Sequence, residues 1–251
     1  MLKILPLFSS SKGNCTYIES DTTALLVDIG ISCKRLVNSF DENKINPNSI
    51  EAILVTHEHS DHTKGIKTFA SKYSIPVFAT EKTWTKLSSI DINTSLKRTF
   101  LHDDSFDIGD ITISPFKTPH DAIDPSGFSF YNNNQKVTVA TDLGHINEYL
   151  LSKMLKSNSI LLESNHDIEM LKAGPYPYQL KQRILGNYGH LSNALTAKTV
   201  GYLIKNGTKN FILGHLSEDN NFPELALETV KSNLKIQNID TTDISISVAK
   251  P

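Results

Sequence analysis

The feature that most constrains the fold of this chain is a double series of short β-rich runs with helical patterns between them. The first series covers residues 2–8, 16–19, 24–28, 52–56 and 77–80, and the second covers 106–117, 128–131, 137–142, 160–163 and 211–214. Helical spacing is found at 33–40, 64–72, 147–156, 178–185, 192–205 and 223–234. Runs of this kind, bounded by turn residues, are typical of strands. Two sheets packed face to face with helices outside would bury them, so the sequence predicts an α+β fold, a four-layer αββα sandwich.

Length and composition limit the class of protein. The 251 residues, 39% of them hydrophobic and 21% charged, exclude disordered and fibrous classes and can bury one large core or two fused halves. We expect a single domain over residues 1–251. A formal net charge of -2 gives no global field for nucleic acid or an anionic membrane, so a polyanionic substrate would need a local basic patch or a metal site.

Apolar segments are short throughout. The first one ends at Ser9, below the roughly 7 to 15 apolar residues of a secretory signal. No stretch approaches the roughly 20 apolar residues of a transmembrane helix. We therefore expect a cytoplasmic protein without a membrane partner, and no feature indicates an obligate protein partner.

Metal-binding residue types concentrate where the run at 52–56 ends. His57, His59, Asp61 and His62 follow it within six residues. In extended chain His57 and His59 point to the same side, and a turn would bring Asp61 and His62 towards a neighbouring position. One ion could take the first pair and a second ion the other. With nine histidines in 251 residues, three within this window indicate a metal site rather than a histidine-rich loop.

Two ions need more ligands, which other strand ends can supply. His120, Asp142 and His215 each follow an apolar run in the same way. Taken singly, each is more often structural. Together with the cluster they complete two sites of plausible coordination.

The order of these residues resembles a known metal-binding series. Asp28, the four-residue cluster, His120, Asp142 and His215 are similar to the series of the metallo-β-lactamase superfamily over nearly the whole chain. More specifically, the chain resembles the YycJ family, also called WalJ or VicX, whose members are regarded as bacterial metal-dependent DNA exonucleases. The segments that carry this resemblance are 8–14 (FSSSKGN), 120–128 (HDAIDPSGF), 141–145 (TDLGH), 162–167 (LESNHD), 189–193 (GHLSN) and 214–221 (GHLSEDNN).

The resemblance implies a role for each position. His57, His59 and His120 would hold a first ion, Asp61, His62 and His215 would hold a second, and Asp142 would bridge them. Asp28 would orient ligands rather than bind metal, and His145 would lie near the site. Seven nitrogen and oxygen ligands without a thiolate suit zinc, manganese or iron, and we favour two ions of zinc or manganese.

The ligand set also narrows the chemistry. The best-known β-lactamases use a cysteine ligand, but Cys15 and Cys33 lie far upstream of where that thiolate should be. Flavodiiron proteins usually have glutamate at the position that matches His59. These departures disfavour antibiotic hydrolysis and diiron redox chemistry. Phosphodiesterases and thioester or lactone hydrolases remain, and paired ions that activate water suit both.

His190 points towards phosphodiester cleavage. The segment 189–193 begins a long helical pattern. It resembles the histidine segment that tRNA-processing members of the superfamily place near the leaving group. In those proteins a glutamate at the position matching Glu163 often orients the histidine. His190 could protonate the departing oxygen, a step worth about 10² to 10⁴ in rate. The alternative is a helix-capping turn with an exposed histidine. We predict His190, Glu163 and the ligand Asp61 as catalytic residues.

Substrate contacts are predicted in two places. The turn that contains Ser10, Ser11, Gly13 and Asn14 could hold a phosphate through backbone N–H groups and hydroxyls, although it could equally be an ordinary turn. On the resemblance alone, Asn165 and His166 are further pocket residues. We expect DNA as the substrate of an exonuclease. The alternative is a small-molecule hydrolase that acts on a cyclic phosphodiester or a thioester.

Overall fold

The computed structural model describes residues 1–250 as two β-sheets with helices on their outer faces. The first sheet contains, in spatial order, β1 (Lys3–Ser10), β2 (Gly13–Glu19), β3 (Ala24–Val27), β4 (Ile50–Leu54), β5 (Val77–Ala79) and β6 (Lys97–Thr99). The second contains β7 (Phe106–Ile108), β8 (Ile111–Lys117), β9 (Ser126–Asn132), β10 (Gln135–Ala140), β11 (Ser159–Glu163), β12 (Asn210–Gly214) and β13 (Ser245–Val248), also in spatial order. The helices are α1 (Cys33–Asn43), α2 (Ser60–Thr63), α3 (Ile66–Tyr73), α4 (Glu81–Lys86), α5 (Glu148–Met154), α6 (Ile168–Ala173), α7 (Tyr178–Leu185), α8 (Asn193–Lys205) and α9 (Pro223–Ile236).

Three buried apolar clusters define the layers. The central cluster joins the facing sides of the two sheets, with Leu25 and Leu54 from one and Phe128 and Val139 from the other. A second cluster packs α1 and α3 on the first sheet, and a third packs α5, α8 and α9 on the second. Because each sheet buries both faces, β3 is apolar and buried along its whole length. This arrangement confirms the predicted αββα sandwich.

Parallel pairing brings the strand ends together. Strands β3, β4 and β5 are parallel neighbours, and so are β10, β11, β12 and β13. The carboxyl ends of parallel strands share one edge of a sheet, where ligands commonly bind. Asp28, His57, Asp142, Glu163 and His215 lie at or just after such ends. The topology therefore gathers residues that are far apart in the sequence.

Several elements differ from the sequence-based expectation. The run at 106–117 is two antiparallel strands, β7 and β8, because the chain reverses at Gly109, whose φ of +56° favours glycine. Helices α4 and α6 and strands β6 and β13 were not expected. Each is at most six residues long, which is too short for a clear periodic pattern. Among residues 1–250, no helix is both long and apolar enough to cross a membrane.

Candidate active site

The loop after β4 contributes four of the predicted ligands. His57 and His62 are fully buried, and the Nε2 atom of His57 lies 2.9 Å from Nδ1 of His59. His57, His59 and His120 place one donor atom each within 4.8 Å of one another, and so do Asp61, His62 and His215. These are the two groups that the resemblance implied.

Asp142 lies between the two groups. Its Oδ2 is 3.5 Å from Nε2 of His62, and its Oδ1 is 3.7 Å from Nε2 of His120 and 3.5 Å from Nδ1 of His215. Its carboxylate is buried, with the side chain 4% exposed. One carboxylate therefore approaches histidines of both groups.

Asp28 supports the loop after β4, where its ligand partner is His62 of the second group. It is buried and accepts hydrogen bonds from the Thr56 backbone N–H at 2.8 Å, the Thr56 hydroxyl at 2.7 Å and Nδ1 of His62 at 2.7 Å. The last bond fixes the orientation of the His62 ring and leaves its Nε2 facing Asp61 and Asp142. Thr56, which no sequence pattern singled out, also contacts Nδ1 of His57 through its hydroxyl at 3.0 Å.

Glu163 supports His215, which is also in the second group, together with His190. Its Oε1 accepts hydrogen bonds from Nδ1 of His190 and Nδ1 of His215, both at 2.8 Å. Its Oε2 accepts from the backbone N–H of Leu143 at 2.7 Å and of Leu191 at 3.2 Å. One buried carboxylate thus orients two imidazoles and is hydrogen-bonded to three separate segments of the chain, at residues 143, 190–191 and 215.

Sharp turns follow the strands that carry the site. Asp28, Asp142 and His215 have φ values of 60°, 57° and 55°, in the left-handed region that non-glycine residues rarely adopt. Such strain clusters at functional sites, where the surrounding packing maintains it. Gly30 has a different role. A Cβ there would lie 1.5 Å from the backbone oxygen of Asp61, so only glycine permits the close approach of the loop after β4.

The proposed ligands differ in charge state. Burial would lower the pKa of His62 and His215, but the nearby carboxylates, Asp142 foremost, raise it above its usual value. Three other ligands are in the forms that bind metal. Burial lowers the pKa of His57 well below its usual value, and the charges of His62 and His120 lower it further. Burial also lowers the pKa of His120, against the opposing charge of Asp142. Burial would raise the pKa of Asp61, but His62 and His215 hold it well below its usual range. Neutral imidazole and ionised carboxylate are the forms that bind metal.

Unpartnered donor atoms test whether the site fits a metal. The Nε2 atoms of His120 and His215 and the Oδ2 atom of Asp142 are buried without a hydrogen-bond partner. Buried polar atoms in folded proteins are normally satisfied, so three unsatisfied atoms in one cluster indicate a missing partner. Nitrogen and carboxylate donors at this spacing fit divalent metal ions.

The predicted phosphate turn is the tip of the β1–β2 hairpin. Ser11 lines a depression of about 260 Å³ beside His190, which we call the His190 pocket; Lys12, Asp121, Asn165, Tyr176 and Arg183 also line it. Ser10 and Gly13 are buried in the hairpin. The amide of Asn14 lies 3.2 Å from Nε2 of His62 and donates to the backbone oxygen of Asp61 at 3.4 Å. Asn14 therefore contacts the loop after β4.

Two other predicted residues lie elsewhere. His166 is 1% exposed, and its Nδ1 faces the Asn165 side chain at 3.3 Å, so a substrate could reach it only if the surrounding chain moved. Nδ1 of His145 donates to the backbone oxygen of Asn187 at 2.8 Å, and this side chain lines a separate depression rather than contacting the cluster. These two histidines therefore do not lie where the sequence analysis expected them. A residue that follows a strand end in the sequence can still direct its side chain away from the site.

Asp121 was not predicted but lies at the site. Its Oδ1 is 3.3 Å from Nε2 of His120, and its Oδ2 accepts a hydrogen bond from Arg183 of α7. It directly follows a predicted ligand, which is the one sequence signal that could have indicated it. The pair connects α7 to the edge of the cluster.

Comparison with known proteins identifies the family. Residues 23–216 match the Beta-lactamase superfamily domain. The chain is 41% identical to the exodeoxyribonuclease YycJ of Bacillus anthracis, covering 91% of this chain and 88% of that protein. It is 38% identical to the exodeoxyribonuclease WalJ of Streptococcus pneumoniae, covering 91% and 86%. The metallo-beta-lactamase fold protein YhfI from Bacillus subtilis superposes with a TM-score of 0.72 at 14% identity, covering 99% of this chain and 96% of that one. The chain therefore belongs to the beta-lactamase superfamily and, within it, to the family of the exodeoxyribonucleases YycJ and WalJ.

Proposed function

We propose that this protein is a metal-dependent phosphodiesterase that removes nucleotides from DNA as an exonuclease. The observation that carries the proposal is the 41% identity to an exodeoxyribonuclease over 91% of the chain. The geometry around Asp142 and Glu163 supports it, because it offers both metal donors and a positioned histidine.

The donor set suggests how metal would be held. His57, His59 and His120 would hold one ion, Asp61, His62 and His215 a second, with Asp142 between them. Two zinc or manganese ions bound there would make water more acidic and neutralise negative charge on the attacked phosphate. Asp61 is counted with the catalytic residues because its carboxylate belongs to this set.

The buried carboxylates prepare the imidazoles for this role. Asp28 accepts a hydrogen bond from the Nδ1–H of His62, and Glu163 accepts one from the Nδ1–H of His215. Each histidine then directs Nε2 at the cluster. Carboxylates that hold ligand histidines in this way commonly contribute a factor of about 10 to 100 in metal affinity.

His190 would donate a proton to the leaving oxygen. Its Nδ1 is engaged by Glu163, and its side chain is 20% exposed on the wall of the His190 pocket. The nitrogen left to act on a substrate is Nε2. The capping role at the start of α8 belongs to Ser192, which accepts from the Leu195 backbone N–H. The cap therefore does not account for the position of His190.

The His190 pocket would contact the backbone of the substrate through Ser11 and Asn165. Its two cations are paired with carboxylates, Lys12 with Glu218 and Arg183 with Asp121. The pocket is therefore not the simple basic groove that DNA binding would favour, and other surface must contribute to affinity.

A substrate panel tests the proposed class. Purified protein with manganese would be assayed in parallel on 5′-labelled duplex DNA, a cyclic phosphodiester, a thioester and a chromogenic cephalosporin. We expect nucleotide release from DNA and negligible turnover of the cephalosporin. Thioester or cyclic phosphodiester turnover that far exceeds DNA cleavage would support the small-molecule alternative and contradict the exonuclease.

Replacing the proposed acid gives a sharper test. His190→Ala should lower turnover of DNA by about 10² to 10⁴, because the leaving oxygen is no longer protonated. A p-nitrophenyl phosphodiester, whose leaving group needs no proton, should lose much less. Metal content should stay the same by elemental analysis. Equal slowing of both substrates, or loss of metal, would make His190 a binding or structural residue.

A further inference from the structure

A second depression adjoins the candidate active site and is not used by the mechanism above. It has a volume of about 520 Å³ and is lined in part by His102, Lys117, Pro119, His145, Tyr149 and Tyr188; we call it the tyrosine pocket. Pro119 directly precedes His120, and Tyr188 is two residues before His190. A strand whose phosphate lay at the metal cluster could therefore extend into it. Its volume is within the range of pockets that hold small organic ligands.

Hydrogen bonds hold the hydroxyl of Tyr149 and the backbone of Tyr188, and both side chains are accessible. The Tyr149 hydroxyl accepts from the Lys117 backbone N–H at 3.2 Å and donates to Asp103 at 2.8 Å. The backbone oxygen of Tyr188 accepts from the Asp121 N–H at 3.0 Å, while its side chain leaves the residue 63% exposed. An accessible ring on a restrained backbone loses little entropy when a flat group stacks on it.

Close backbone packing further restrains Tyr188. A Cβ at Gly144 would lie 2.2 Å from the backbone oxygen of Asn187 and 2.5 Å from the backbone nitrogen of Tyr188. The Gly144 N–H donates to Pro119 O at 2.8 Å. The segment before His120 and the segment before His190 are thus joined through residue 144. The backbone of Tyr188 is therefore held at a fixed position relative to the candidate active site.

Charge distinguishes this pocket from the His190 pocket. Lys117 is 61% exposed, and its Nζ is 3.9 Å from Asp124, the limit of an ion pair. Lys12 and Arg183 in the His190 pocket are held much closer to their carboxylates. Lys117 is therefore the cation with more freedom to meet a phosphate, and it lies in the pocket that also offers aromatic faces.

We propose that the tyrosine pocket is a nucleobase subsite for the DNA strand, an inference that rests on the proposed function. A base stacks on the ring of Tyr188, with Tyr149 forming the adjacent wall, and the neighbouring backbone phosphate meets Lys117. Stacking on aromatic side chains is tolerant of sequence because every base has a π-face. The site would thus help to hold DNA without selecting a sequence.

Single abasic residues test the subsite directly. Labelled oligonucleotides would carry one abasic residue at successive positions from the cleaved end, and kcat/KM would be compared with that of the intact oligonucleotide. At one position the wild-type protein should lose about 5- to 150-fold, the range for removal of one base–aromatic stack. Tyr188→Ala should bring this ratio close to one. Tyr188→Phe, which keeps the ring, should preserve it.

A matched control separates the pocket from general surface effects. Tyr202, an exposed tyrosine on α8, is 44% exposed, and Tyr202→Ala should show the wild-type dependence on the base. If the wild-type protein cleaves abasic and intact DNA equally at every position, or if Tyr188→Ala keeps the wild-type ratio, the subsite is refuted while the exonuclease proposal stands. A wild-type protein that cleaves no DNA refutes both.

Discussion

The two halves of the candidate active site are built in different ways. The N-terminal half-site consists of Asp28 and the loop residues Thr56, His57, His59, Asp61 and His62, nearly all from one continuous segment. The C-terminal half-site consists of His120, Asp142, Glu163, His190 and His215, each from a different segment of the second sheet or its connections. The first half is assembled by a local turn. The second exists only once its strands have paired.

The carboxylates that support the two halves differ accordingly. The carboxylate of Asp28 accepts hydrogen bonds from Thr56 and His62, six residues apart on one loop. Glu163 bonds to side chains and backbone of residues 143, 190, 191 and 215. A defect at Asp28 should therefore stay local, whereas a defect at Glu163 should affect metal binding and proton transfer together.

Removal of the shared carboxylate should have the largest effect. Asp142 approaches histidines of both half-sites, so Asp142→Ala should abolish hydrolysis and reduce the metal content from two ions per chain. Asp61→Ala should do the same through the second group. Elemental analysis under saturating manganese measures the loss, with the exposed Asp107→Ala as control. Two ions retained by Asp142→Ala would contradict the bridging role.

Charge-neutral replacements of the two supporting carboxylates should differ from each other. Asp28→Asn should weaken metal binding by about 10- to 100-fold, and saturating metal should restore most turnover. Glu163→Gln should weaken metal binding similarly, but at saturating metal its turnover of DNA should stay about 10² to 10⁴ below wild type because His190 has lost its partner. The measurements are a metal titration and turnover at saturation. If saturating metal restored the turnover of both variants equally, the proposed difference between the two half-sites would be wrong.

Salt dependence should show the smallest effect. If the strand follows the C-terminal half-site, Lys117→Gln should lower the slope of log K against log salt by about 0.9, the value for one duplex phosphate. Lys12→Gln, at the tip of the β1–β2 hairpin, should change the slope less because Lys12 is paired with Glu218. Binding titrations from low to moderate salt give both slopes. Wild-type binding that does not respond to salt would mean that DNA is not the partner.

The half-sites also differ in how well the sequence predicted them. The spacing of His57, His59, Asp61 and His62 indicated a metal site because these donors are close in the chain and stay close in the fold. His120, Asp142 and His215 could be selected only as residues at strand ends and through a family resemblance. The structure gathers them with the cluster as expected, and their binding of metal remains a prediction.

Side-chain direction is where the sequence was least informative. Asn165 and His166 are neighbours, yet one lines the His190 pocket and the other is buried. His145 follows Asp142 by three residues but turns away towards Asn187. Asp142 has a left-handed φ of 57°, and no periodic pattern in the sequence encodes such a conformation.

The sequence alone determined the layer order of the fold, the clustering of His57, His59, Asp61 and His62 in one loop, and the residue types available for chemistry. These depend on hydrophobic period, strand length and local spacing, which act over a few residues. The tertiary structure decided that Glu163 serves both His190 and His215, that Asp142 lies between two histidine groups, and that Tyr188 adjoins the cluster. These relations depend on the parallel pairing of β10, β11 and β12 and on close backbone contacts at Gly30 and Gly144. Contacts between distant segments form only when the whole core packs.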